Sequence, residues 1–207
     1  MIQALLLIFM PTVAWDRVVR HRRSVLFILL IYLIPLIVLT SAAEGYGLYR
    51  GKWLGEIAHL KKFTRNEAIV FEAAQFFVTL GIVLLAAYLV KAVGETFHGR
   101  HTYGQAFTVV AYGLGPFLLF RGFNFFPGVS PWVWWALGIL LSIGALYQGL
   151  PRVLEPDPPH AFGLYFMTSL LLLLITGLIQ FMTSWFLHGK FVQLEALFSD
   201  LARRLPF

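Results

Sequence analysis

The residues able to do chemistry are few, and they are scattered. Glu95, His98 and His101 recur at three-residue spacing and are metal-competent types. They lie in a short stretch flanked by Gly99 and Gly104, which the sequence reads more simply as a solvated turn. The chain has no cysteine, which removes disulfide frameworks, thiolate-held zinc and iron–sulfur clusters, and thiol nucleophiles. No nucleophile elbow, phosphate-cradling glycine loop or H-E-x-x-H helix occurs. No catalytic residue, metal ligand or cofactor is therefore assigned.

Two backbone elements are more unusual. Ala111-Tyr112-Gly113-Leu114-Gly115-Pro116 falls inside an apolar stretch. Pro116 lacks an N–H and its ring crowds the carbonyl of Tyr112, so the helix must kink or open there. Gly113 and Gly115 loosen it further and let a neighbour approach closely. The second element is Tyr147-Gln148-Gly149-Leu150-Pro151, where Gly149 and Pro151 read as a helix stop. Tyr112, Gly113, Gly115, Pro116, Tyr147, Gly149 and Pro151 are the candidate hinge or interaction residues. A packing kink and a solute-binding site are both compatible with them. Three small-xxx-small pairs (Ala111/Gly115, Gly138/Ser142 and Ala145/Gly149) predict close contact between the third and fourth spans.

The elements that position these residues follow from composition. Of 207 residues, 59% are hydrophobic and only 13% charged, and the mean hydropathy is +0.77. A soluble chain carries roughly 25% charged residues, so a soluble enzyme is excluded. About 20 apolar residues cross a bilayer core, and five stretches qualify: 24–43, 69–93, 104–123, 131–149 and 163–187. The fold class is an all-α membrane protein with five transmembrane helices and amphipathic interfacial helices at both ends. Residues 1–23 form the N-terminal interfacial segment, 24–187 the five-helix domain and 188–207 a C-terminal amphipathic helix. The apolar start lacks a basic region before it, so it does not read as a cleaved signal peptide. Trp15, Val18 and Val19 share one face of a short helix, as do Phe191, Leu194, Leu197, Phe198 and Leu201 near the C-terminus. Each such helix lies in the interface plane or docks on the bundle. Between the first two spans, Trp53, Leu54, Ile57 and Leu60 fit a further short amphipathic helix.

Charge refines the reading. Span centres carry no ionisable residue, Glu72 sits close enough to a span end to be hydrated, and Lys91 can snorkel. Gln148 and Gln180 are left to donate interhelical hydrogen bonds. Ion-coupled transport is thereby disfavoured. The net charge of +6 belongs to loops that set topology and does not form a nucleic-acid footprint. Total basic residues slightly disfavour a cytoplasmic N-terminus. The densest cluster, Arg17, Arg20, Arg22 and Arg23, directly precedes the first helix and favours it.

The order of these features resembles the bacterial branch of the Yip-domain family, integral membrane proteins named for members that interact with Ypt/Rab GTPases. The resemblance rests on Tyr112 to Pro116 and Tyr147 to Pro151, within a stretch from Pro11 to Leu187. It implies five helices with a cytoplasmic N-terminus, and, from the eukaryotic members, roles in trafficking and membrane shaping. Those members carry a longer cytosolic N-terminal region than the short segment before the first span here, so GTPase recruitment is not carried over. The leading expectation is a non-enzymatic, multi-pass protein of the bacterial inner membrane. It organises membrane or partner proteins; its partners are the lipid bilayer and itself or other membrane proteins, not nucleic acid. The alternative is a small-solute permease or channel subunit with its site at the kinked third span. An intramembrane enzyme is the weakest reading.

Overall fold

A computed structural model describes residues 2–21, 23–49, 63–97, 101–126, 129–188 and 191–204. Among them every regular element is helical. Two short helices, α1 (Ile2–Phe9) and α2 (Pro11–His21), precede the first span. That span, Val25–Tyr49, consists of α3 (Val25–Phe27), a π-helical stretch (Ile28–Leu33) and α4 (Ile34–Tyr49). The second is α5 (Arg65–Thr96). The third comprises α6 (Tyr103–Gly113), α7 (Gly115–Arg121) and a 3-10 turn (Gly122–Phe125). The fourth is α8 (Pro131–Leu154), the fifth α9 (Pro158–Leu187), and α10 (Val192–Arg204) follows. All five are long and apolar enough to cross a membrane.

The third span is the central one: 61% of its most apolar stretch is buried, against 28–39% for the others. Its neighbours cover it on several sides, α5 and α8 along α6, and α8 and α4 along α7. The other spans expose large apolar side chains such as Phe77, Leu140 and Leu174, as a lipid-facing surface requires.

Local chemistry sets the ends. Thr64 and Glu67 form a reciprocal capping box at the start of α5, and Thr102 and Gln105 do so for α6. Ser130 caps α8 ahead of Pro131. The helix α9 begins with Pro158 and Pro159, whose missing N–H groups cost nothing in a first turn. Pro151 does not stop α8, which runs on to Leu154 and ends at Glu155 in the left-handed region (φ 46°). Arg152 helps to hold that last turn, its Nη1 donating to the Gln148 carbonyl at 2.6 Å. In the first span, the wider π turns before Pro35 absorb its ring.

The N-terminal helix docks rather than lying free, and α1 folds back on α2. Gln3 Nε2 donates to the Ala14 carbonyl at 3.3 Å, although a straight helix would part these residues by about 16 Å. The hairpin packs on α7 and α8, burying Ala4, Leu7, Ala14, Trp15 and Val18. Its tip stays out: Phe9 is 78% and Met10 56% exposed. At the other end of the chain, α10 packs against α5, with Leu197 and Leu201 exposed. The amphipathic segment expected around Trp53 to Leu60 lies outside the described residues.

Candidate functional site

The third span breaks at Leu114, between Gly113 and Pro116. In an unbroken helix the Phe117 N–H would bond the Gly113 carbonyl; here it donates to Ser142 Oγ on α8 at 3.0 Å. Ser142 is fully buried. A freed backbone group at membrane depth has thus found a side-chain partner on the neighbouring helix, as lipid demands. Gly138, one turn before Ser142, lets the chains meet: a Cβ there would lie 3.0 Å from Phe117 Cα. Pro116 itself is buried in the first turn of α7.

On the α6 side of the break the packing is aromatic. The Tyr112 ring lies 4.4 Å from that of Tyr32, and Trp15 meets it edge-on at 6.3 Å. Trp15 is fully buried, and its Nε1–H donates to the Ala145 carbonyl at 2.8 Å. Three of the candidate glycines each make room for one side chain. A Cβ on Gly149 would overlap the Trp15 indole, one on Gly115 the Tyr32 hydroxyl, and one on Gly113 the Leu146 side chain. Tyr112, Gly115 and Gly149 thus border the N-terminal hairpin through Trp15, Ala4 and Leu7, whereas Gly113 receives Leu146 of α8. Arg23, stacked over Phe27 at 4.8 Å, neighbours the Tyr112 hydroxyl. Tyr147 and Pro151 do not join this packing. Tyr147 is 58% exposed and stacks edge-on with Tyr165, and Pro151 is exposed on the last turns of α8.

The α7 side is charged, which corrects the expectation of hydrated, span-end charge. The first span continues past residue 43 to Tyr49, so Glu44 is carried inside the bundle and is 3% exposed. Glu72 is buried too, at 7%. Arg121 bridges them: its Nε donates to Glu44 Oε2 at 2.6 Å, and its Nη2 to Glu72 Oε2 at 3.2 Å. Nη1 donates to Thr79 Oγ1 at 2.9 Å, and Nη2 also to Ser41 at 3.4 Å. Asn124 Nδ2 completes the shell of Glu44 by donating to Oε1 at 3.1 Å. A cavity of about 50 Å³ borders Arg121, Glu44, Asn124, Gln75, Gln180 and Thr183. A smaller one of about 20 Å³ shares Glu44, Asn124, Gln180 and Thr183 and extends toward Ser130 and His188. Ser41, Glu44, Arg121 and Asn124 come from span ends, Glu72 and Thr79 from the start of α5. The cluster therefore sits on the face of the bundle opposite α2.

Of the three-residue metal pattern, Glu95 and His101 fall among the described residues. Glu95 pairs with Lys91 at 3.3 Å, His101 is buried against Gly94, and His98 lies outside the described residues. Among the described residues no group of three such ligand types comes together. Burial without a partner for Nε2 holds the His101 ring below the usual histidine range.

Five apolar helices and a lipid-facing apolar surface define a multi-pass integral membrane protein in contact with the bilayer. The chain matches the Yip1 domain over residues 5–179 and belongs to that family. The matched stretch takes in the hairpin, the broken third span and most of α9. No curated protein and no solved structure matches the chain.

Proposed function

We propose that this protein is a non-enzymatic organiser of the membrane and of partner proteins, and that it acts by shape. The observation carrying this reading is the α1–α2 hairpin seated on the third and fourth spans. Its tip presents exposed Phe9 and Met10, and its far end carries exposed Arg17 and Arg20. Apolar tip and basic base suit a wedge held in one leaflet, with arginines at anionic headgroups. With the N-terminus on the cytoplasmic side of a bacterial inner membrane, that leaflet is the cytoplasmic one. Tyr112, Gly115, Pro116 and Gly149 hold the wedge in place, and exposed Tyr147 is available to a second copy or another membrane protein. Solute passage centred on Tyr112 is the poorer reading, because the ring is 1% exposed between Trp15 and Tyr32.

Purified protein reconstituted into phosphatidylglycerol-containing liposomes tests this. Electron cryomicroscopy is expected to show smaller or tubulated vesicles with the native chain. The Phe9→Lys/Met10→Lys variant, which leaves the Trp15 seat intact, is expected to lose the effect while keeping its unfolding temperature. Unchanged vesicles with native protein, or equal deformation by the tip variant, would sink the wedge reading.

A further inference from the structure

We propose that the lipid-facing groove between α4 and α5 binds one anionic phospholipid, with its phosphate at Arg65 and an acyl chain along the groove. The inference is independent of the wedge reading.

Shape gives the first argument. The groove has a volume of about 600 Å³ and is lined by α4 and α5 alone, within the roughly 300–1,000 Å³ of ordinary ligand sites. The two helices close its floor where a Cβ on Gly45 would lie 2.8 Å from Glu72 Cγ. Small side chains at Ala42 and Ala73 leave the space open, and Val38 and Phe77 beside it are more than half exposed. Lipid tails are as apolar as these residues, so a chain enters without a mismatch in polarity.

Charge at one end gives the second. Arg65 is exposed and opens α5 where α4 ends, beside Tyr46 and Tyr49, each more than half exposed. Tyrosines favour the headgroup level, which puts Arg65 among phosphates. The neighbouring Glu67 is turned back onto the Thr64 cap. The stretch joining Tyr49 to Phe63 adds Arg50, Lys52, Lys61 and Lys62 against Glu56. That excess of positive charge selects an anionic headgroup over a zwitterionic one.

An unpartnered oxygen gives the third. Glu72 lines the groove two turns beyond Arg65, about 10 Å deeper along the helix. Its side chain is 9% exposed and its Oε2 accepts from Arg121, while Oε1 is buried with no hydrogen-bond partner. The headgroup region is about 5–7 Å deep in each leaflet, and the reach of the arginine side chain covers the difference. Glu72 therefore falls at the ester level of a lipid whose phosphate meets Arg65. A carboxylic O–H at Oε1 donates there to an ester carbonyl. Another helix in the groove, its backbone bonded to itself, would leave both Arg65 and Oε1 unserved.

The test is photolabelling of the purified full chain in detergent by phosphatidylglycerol with a diazirine in one acyl chain, mapped by peptide mass spectrometry. Labelling is expected to concentrate on residues 38–49 and 65–77. Unlabelled phosphatidylglycerol is expected to compete about tenfold better than phosphatidylcholine. Ala73→Trp, which fills the groove from an exposed position, is expected to abolish this labelling with the unfolding temperature kept. Arg65→Gln is expected to erase the preference for phosphatidylglycerol while labelling persists. Equal competition by phosphatidylcholine against the native chain overturns the proposal, as does a preference that Arg65→Gln retains in full. Labelling that Ala73→Trp leaves unchanged, or that falls as heavily on the exposed faces of α8 and α9, also overturns it, since the lipid would then be ordinary boundary lipid. So does a groove left unlabelled while those faces are labelled, because protein, from this chain or a second copy, would then cover it.

Discussion

The two halves of the third span are fixed by opposite means. N-terminal to Leu114, α6 is held by rings and small residues: Tyr112 lies against Tyr32 and Trp15, Gly149 of α8 receives the Trp15 indole, and Gly113 makes room for Leu146. C-terminal to it, α7 is held by a charged network through Arg121. In a bilayer these differ in kind. Lipid tails are as apolar as a tyrosine face, so α2 is held on α8 and against Tyr112 through fit and the Trp15–Ala145 hydrogen bond, and not by expulsion of water. Nothing in lipid can replace a partner of Arg121, so the network on α7 is obligatory. One half of the span is held by shape, the other by charge.

Single substitutions separate the two. The largest effect is expected from Arg121→Met, which strands two buried carboxylates; the cost is about 3–5 kcal/mol, read by unfolding in detergent. Arg121→Met combined with Glu44→Leu and Glu72→Leu is expected to recover most of it, because apolar replacement of a whole buried cluster is far milder than removing one member. A triple variant as weak as the single one would mean that shape, not charge, fixes α7. Next comes Gly149→Val, whose side chain displaces the Trp15 indole. It is expected to cost toward the upper end of about 1–3 kcal/mol, to shift Trp15 fluorescence and to speed tryptic cleavage after Arg17 and Arg20 by releasing α2 from its seat. Ser142→Ala leaves the Phe117 N–H unpaired and is expected to cost about 1–2 kcal/mol, with the hairpin still protected.

The smallest effect concerns His101, outside the spans. Burial favours its neutral form, so its folded value lies below the unfolded reference of about 6.5. Its contribution is then present above that reference and is lost as pH falls through the lower folded value. Native protein is expected to lose slightly more stability between neutral and mildly acid pH than His101→Gln, measured by thermal unfolding. Parallel pH curves would show that the ring titrates freely.

Shape was legible in the sequence and charge was not. Gly113, Gly115, Pro116 and Gly149 announce themselves because only a backbone demand places such residues in an apolar stretch. The small pairs likewise foretold contact of the third and fourth spans, although Ala145 and Gly149 receive Trp15 and not a span. Glu44, Glu72 and Arg121 each sit near a span end, where a lone charge reads as solvated. Only the third dimension shows the first, second and third spans bringing them together. One local signal was available: Thr64-x-x-Glu67 is a capping box, which starts α5 at Arg65 and carries Glu72 a further turn inside. The early start of α9 at Pro158 was readable from the same grammar. The foldback of α1 was not, because Met10-Pro11 marks a break without giving its angle.

The seating of the hairpin on the fourth span is the claim on which both the shape lock and the wedge depend. Asp16 on α2 and Arg152 on α8 pair at 3.1 Å, and the chain has no cysteine of its own. An Asp16→Cys/Arg152→Cys variant treated with a short thiol cross-linker in intact membranes tests it directly. Rapid intramolecular cross-linking, lost when Gly149→Val is added, is the expected result. Two freely labelled thiols that never join, in protein that still unfolds cooperatively, would show that the N-terminal helices lie elsewhere.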